Sequence, residues 1–106
     1  DDAAVTYYCF KSFANLAHPQ PPHESLQNCA EMLESVVYGM KRFSGPKDAR
    51  VQEAGCEVIS KLALLEELQD AIHVKGVIAR ICHALKTYES DQGIQRKGCR
   101  ALANIA

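Results

Sequence analysis

At 106 residues the chain can form one small domain with a thin core. Its 12 basic and 13 acidic side chains nearly cancel, which removes the long-range pull that a phosphate backbone needs, and with no Trp and 7% aromatics a stacking platform for single strands is disfavoured. No apolar run approaches the roughly 20 residues that cross a bilayer, and no basic-then-apolar leader opens the chain.

The first predicted element is a helix over about 3–17, VTYYCFKSFANLA at its centre, with Val5, Cys9, Ser12, Phe13 and Leu16 as its core-facing stripe. AHPQPPH (17–23) is a Pro-rich break. Glu24 to about Phe43 carries Leu26, Cys29, Leu33, Val36 and Met40 at helical spacing, and Ser44-Gly45-Pro46 stops it. A long helix over about 51–63 follows, then a short one from Leu64 to Ile72 and a turn at His73-Val74-Lys75-Gly76, where the histidine suits a helix C-terminus. Val77 to about Tyr88 is a medium helix with Val77, Ile78, Ile81, Cys82, Leu85 and Tyr88 inward; after Ser90-Asp91-Gln92-Gly93 the last long helix runs to Ala106. No alternating strand pattern competes, so the fold class is all-α.

The long helices repeat. VQEAGCEVISKLA (51–63) and IQRKGCRALANIA (94–106) share Gln, Gly, Cys and the final Ala at an offset of 43, and VTYYCFKSFANLA (5–17) aligns with the middle copy at an offset of 46. Gly inside a helix costs about 1 kcal/mol against Ala, so Gly55 and Gly98 imply close approach of a neighbouring helix. Cys9, in the first copy's glycine place, loosens that approach. The chain divides into a partial unit (long helix about 3–17), a unit of about 23–63 and a unit of about 64–106.

This short–medium–long order, the endings FANLA, ISKLA and LANIA, and the VKG corner before VIARI resemble the armadillo repeat family, with HEAT repeats as the nearest rival. The resemblance covers nearly the whole chain as about two and a half repeats. It implies an α-α superhelix, a fragment of a right-handed solenoid, whose third helices line a concave groove that holds a protein or peptide. Family members often hold the backbone of an extended peptide through an Asn that corresponds to Asn15 and Asn104; Lys61 takes that place in the middle copy. The Trp that family members use for basic nuclear-import signals is replaced by Lys11, Glu57 and Arg100.

Helix geometry places a polar band beside the core stripe, made of Tyr8, Lys11 and Asn15, of Ala54, Glu57 and Lys61, and of Lys97, Arg100 and Asn104. With Lys11, Lys61, Lys97 and Arg100 against Glu57, the band is net positive and suits an extended or acidic peptide; the plainer alternative is a solvated helix face.

No catalytic, metal or cofactor motif appears. Cys82 and His83 point about 100° apart on one helix, and Glu66, Glu67 and Asp70 read as a solvated surface. The four tyrosines read as packing residues. Cys9, Cys29, Cys56, Cys82 and Cys99 are odd in number, lack CxxC spacing and read as reduced, small apolar residues, which points to the cytoplasm, with the nucleus as the alternative. The expected function is a non-enzymatic scaffold binding a protein partner, with no small-molecule substrate. The alternative is a structural or oligomerisation segment of a larger protein. The missing initiator Met and an apolar stripe still open at Ala106 suggest a fragment, whose uncapped ends would favour self-association.

Overall fold

The computed structural model describes residues 1–16, 26–74 and 76–106. The Pro-rich break, with His18 and His23, the start of the helix expected from Glu24, and Lys75 lie outside the described residues. Those described form six α-helices and no strand: α1 (Asp2–Leu16), α2 (Leu26–Arg42), α3 (Ala49–Leu62), α4 (Gln69–Val74), α5 (Val77–Thr87) and α6 (Gln92–Ile105).

Local chemistry sets the ends. Asp1 Oδ1 accepts the Ala4 N–H at 2.7 Å, and Asp91 Oδ1 accepts the Ile94 N–H at 3.0 Å, so α1 and α6 each open on a carboxylate cap. Gly76 has φ 74°, a left-handed turn that its missing Cβ permits, and α5 starts immediately after it. The loop after α2 is folded by Asp48, whose carboxylate accepts the Gly45 N–H at 2.9 Å.

The short helix differs from expectation. Instead of running from Leu64, the chain passes through Leu65 in an extended conformation (φ −87°, ψ 112°), makes a 3-10 turn over Glu66–Leu68 and only then enters α4. The amides of Ala63, Leu64 and Leu65 close the last turn of α3 by bonding to the carbonyls of Ile59, Lys61 and Leu62. The extended residue then reverses the chain so that Leu65 and Leu68 are buried while Leu64 is left outside.

α3 is the centre of the molecule and packs against α1, α2 and α6. Val51, Cys56, Val58, Ile59 and Leu62 are fully buried along it. Side-chain bonds fix the orientation of its neighbours. Lys11 reaches Glu57 while Lys61 reaches Ala14; Lys97 reaches Glu53 and Glu57 while Asn104 reaches Ser60. Residue numbers rise together in both pairs, so α1, α3 and α6 lie side by side and parallel.

Two helix hairpins, α2–α3 and α5–α6, are built alike. Gln52 Nε2 donates to the carbonyls of Met40 (2.9 Å) and Phe43 (2.6 Å), and Gln95 Nε2 donates to those of Leu85 (2.9 Å) and Tyr88 (3.1 Å). Each glutamine satisfies carbonyls at the end of the preceding helix, which have no partner within it. The glycines have the expected packing role. A Cβ on Gly55 would lie 2.6 Å from Met40 Sδ, and one on Gly98 would lie 2.6 Å from Leu85 Cδ2.

Three expectations about burial are corrected. In α1 the face that packs is Ala3, Tyr7, Phe10 and Ala14, and of the expected stripe Val5, Cys9, Ser12 and Leu16 are exposed, with Phe13 half-buried. The reason is that α1 packs on α3 and, through Phe10, on Gly39 of α2, while no described helix covers its stripe as α2 covers α3. In α5 the inward line is Val77, Ile81, Ala84 and Tyr88, so Cys82 falls outside. Tyr88 lies just beyond the helix end, its amide bonded to the Ala84 carbonyl at 3.0 Å. Finally, only Cys29 and Cys56 are buried; Cys9, Cys82 and Cys99 are exposed. Cys99 is the repeat equivalent of Cys56, but the face that α3 turns to α6 has no described helix against it in α6.

Candidate functional site

The seven residues expected to form a binding band all fall on α1, α3 and α6, and the parallel arrangement brings five of them into contact with a neighbouring helix. Lys97 Nζ sits 2.8 Å from Glu53 Oε2 and 3.1 Å from Glu57 Oε1, and Lys11 Nζ lies 3.5 Å from the same Glu57 oxygen. Burial alone would raise the Glu57 carboxyl pKa, but the hydrogen bond from Lys97 and the charges of Lys97 and Lys11 outweigh it and hold the carboxyl below its ordinary 4.5. Burial likewise disfavours the charged ammonium of Lys97, yet bonds to Glu53 and Glu57 outweigh it and lift its pKa above 10.5. The chain of side chains Lys11, Glu57, Lys97, Glu53 ties three helices together.

Lys61 and Asn104, the next-to-last residues of α3 and α6, do a second job. Lys61 Nζ donates to the Ala14 carbonyl and Asn104 Nδ2 to the Ser60 carbonyl, both at 2.8 Å. Ala14 and Ser60 are themselves repeat equivalents, so the same position on each long helix holds the same carbonyl of the helix before it. These carbonyls sit in a helix's last turn, where in-helix donors run out. Asn15 and Arg100 are exposed, and neither joins a hydrogen bond or ion pair among the described residues. Within the band Glu53 and Glu57 thus offset Lys11 and Lys97, while Lys61 and Arg100 are exposed cations that no carboxylate of the described residues pairs.

Two residues of this face were missed in the sequence. Arg50 and Glu53 join Tyr7, Lys11, Ala54 and Lys97 around a small polar cleft of about 60 Å³, and the Arg50 guanidinium lies 4.8 Å from the centre of the Tyr7 ring. The signal was available: Arg50 and Glu53 extend the Ala54, Glu57, Lys61 line by one turn toward the N-terminus.

A second, apolar cleft of about 170 Å³ opens between α1 and α2, walled by Val5, Cys9 and Phe10 on one side and Tyr38, Gly39 and Phe43 on the other. Val5 is 69% exposed and Tyr38 66% exposed, high values for large apolar side chains standing together.

Cys82 and His83 are both exposed, and among the described residues no group of three His, Cys, Asp or Glu comes together to hold a metal ion. Among the described residues no helix is long and apolar enough to cross a membrane. No protein-family model matches the chain, and no solved structure matches it.

Proposed function

We propose that the chain is a segment of an armadillo-type helical repeat array, an α-α superhelix, and that it serves as a non-enzymatic scaffold for a protein partner in the cytoplasm or nucleus. One observation carries the reading. The equivalent positions Lys61 and Asn104 bond the equivalent carbonyls of Ala14 and Ser60, so α1, α3 and α6 stack by a rule that repeats with the sequence. The twin glutamine clamps support the same reading. A stack of this kind presents one continuous face, and that face carries Lys11, Asn15, Arg50, Arg100 and the Lys97 network. Its unbonded groups suit an extended peptide: Asn15 for a backbone amide, Arg100 for a carboxylate.

The test is titration with a labelled acidic peptide and with its charge-reversed counterpart. The acidic peptide binds more tightly, and Arg100→Glu together with Asn15→Ala weakens it at least tenfold while leaving the thermal midpoint unchanged. Lys61 is unsuitable for this test because its substitution would disturb the stack itself. Equal binding of both peptides, or indifference to the double substitution, contradicts the peptide-face reading. A second reading, a structural or oligomerisation segment, is favoured by the exposed apolar residues of α1, of which Leu16 is 68% exposed.

A further inference from the structure

Arg50 lies in the first turn of α3 between two carboxylates, and neither pairs with it. Asp48 turns its carboxylate to the Gly45 amide at 2.9 Å. Glu53 is three residues on, the spacing at which acid and base on one helix ordinarily share an ion pair. It bonds across to α6 instead, with Oε2 2.8 Å from Lys97 Nζ. Gly93 makes room for this: a Cβ there would stand 2.6 Å from Glu53 Oε1, so the glycine lets the carboxylate lie against α6. The Arg50 side chain is left exposed, with no hydrogen bond or ion pair among the described residues. It is held in place all the same, because its guanidinium stacks 4.8 Å from the centre of the Tyr7 ring. Stacking uses the face of the guanidinium and keeps the N–H donors of its edge free.

These donors border the polar cleft of about 60 Å³, which has room for a few waters and so for a carboxylate group. Lys11 lines it too. Its side chain is 41% exposed, and its one carboxylate contact, to Glu57, is long at 3.5 Å. Ala54 adds only a methyl group to the wall. With Lys11, Arg50 and Lys97 set against Glu53 and Glu57, the surroundings keep one net positive charge, which a single carboxylate cancels. We propose that this cleft is a subsite for one carboxylate side chain, Asp or Glu, of a bound peptide. Arg50 holds the carboxylate through two parallel N–H bonds, and Lys11 supplies a third. Arg50 is thereby the residue that sets where along a peptide an acid is required. The proposal rests on the peptide-face reading for the source of the carboxylate. A phosphate dianion suits the cleft less, because its second charge faces Glu53 and Glu57 uncompensated.

The probes are N-acetyl-glutamate N-methylamide, its glutamine counterpart and the matching phosphoserine derivative. Each is titrated against the full chain, isotopically labelled, with the Arg50 Nε–Hε and Ala54 amide resonances as the readout. The glutamate probe shifts both resonances saturably at millimolar concentration, and the glutamine probe does not. Arg50→Gln, at an exposed position, abolishes the Ala54 shift. Arg50→Lys, which keeps the charge and loses the planar fork, weakens binding about threefold, and so does Lys11→Gln. Arg100→Glu together with Asn15→Ala leaves the glutamate response unchanged. A failed peptide titration with an intact glutamate response therefore counts against the peptide face alone, and the reverse counts against this subsite alone. Absence of any shift, equal response to glutamate and glutamine, shifts spread evenly over Arg96 and Arg100, or binding that survives Arg50→Gln overturns the proposal. Tighter binding of the phosphoserine probe overturns the assignment to a carboxylate.

Discussion

Helices α1 and α3 carry the same apolar pattern and meet opposite fates. Val51 and Leu62 are sealed in the core, while the identical Val5 and Leu16 are more than two-thirds exposed. Their sequences differ little at these positions, so the difference comes from neighbours. α3 has α2 on its stripe, α1 on one flank and α6 on the other, whereas α1 has α3 on one flank only and touches α2 less extensively. A hydrophobic period therefore states which face can be buried, and tertiary neighbours decide whether it is. The same contrast explains Cys56 and Cys99.

The largest expected contrast is all-or-none. Burial pushes the Cys56 thiol up to about 12, the Glu53 charge adds to this, and Lys97 only partly offsets it. In the native protein a thiol reagent labels Cys9, Cys82 and Cys99 promptly, and Cys29 and Cys56 only on unfolding; prompt labelling of Cys56 would break the comparison. Next, Leu62→Ala destabilises by about 3 kcal/mol, as cavity-forming core truncations do. Leu16→Ala changes stability by less than about 0.5 kcal/mol. Chemical denaturation measures both, and equal losses would mean that α1's stripe is covered after all. Third, Gln52→Ala costs about 2 kcal/mol, because two carbonyls lose their donor at a site 1% exposed. The half-buried Gln95→Ala costs about 1 kcal/mol.

The smallest effect is electrostatic. Glu57's lowered pKa means that its contribution is complete above the unfolded-state value and disappears as pH falls through the folded value, below 4.5. Glu57→Gln therefore costs about 1 kcal/mol near neutrality, and the variant loses less stability than the parent on further acidification. Lys97, with a raised pKa, works in the other direction: its contribution holds below 10.5 and fades as pH rises through the folded value.

Much of this architecture was legible in the sequence. Each helix announced itself by its period, and the offsets of 43 and 46 found the equivalent long helices before any coordinates. Gly55 and Gly98 signalled close contact because glycine has no other reason to sit mid-helix. The glutamines at 52 and 95 were visible as an identity, but not as clamps, since the carbonyls they hold lie in another helix. The start of α4 was hidden because Leu64 and Leu65 continue an apolar run while the backbone reverses. The band residues were placed on the right helices, yet their mutual neutralisation depends on pairs more than 40 residues apart, such as Lys97 with Glu53, which no local spacing reports. Armadillo-type curvature and partner binding remain the proposal built on that stack.

The central claim is that α1, α3 and α6 are parallel and in equivalent register. Zero-length carbodiimide coupling followed by peptide mass spectrometry tests it directly, because that reagent joins a lysine to a carboxylate only in contact. The expected products are amide bonds from Lys97 to Glu53 or Glu57 and from Lys11 to Glu57, formed within one chain. Coupling that instead links opposite ends of these helices, with those three bonds absent, would contradict it.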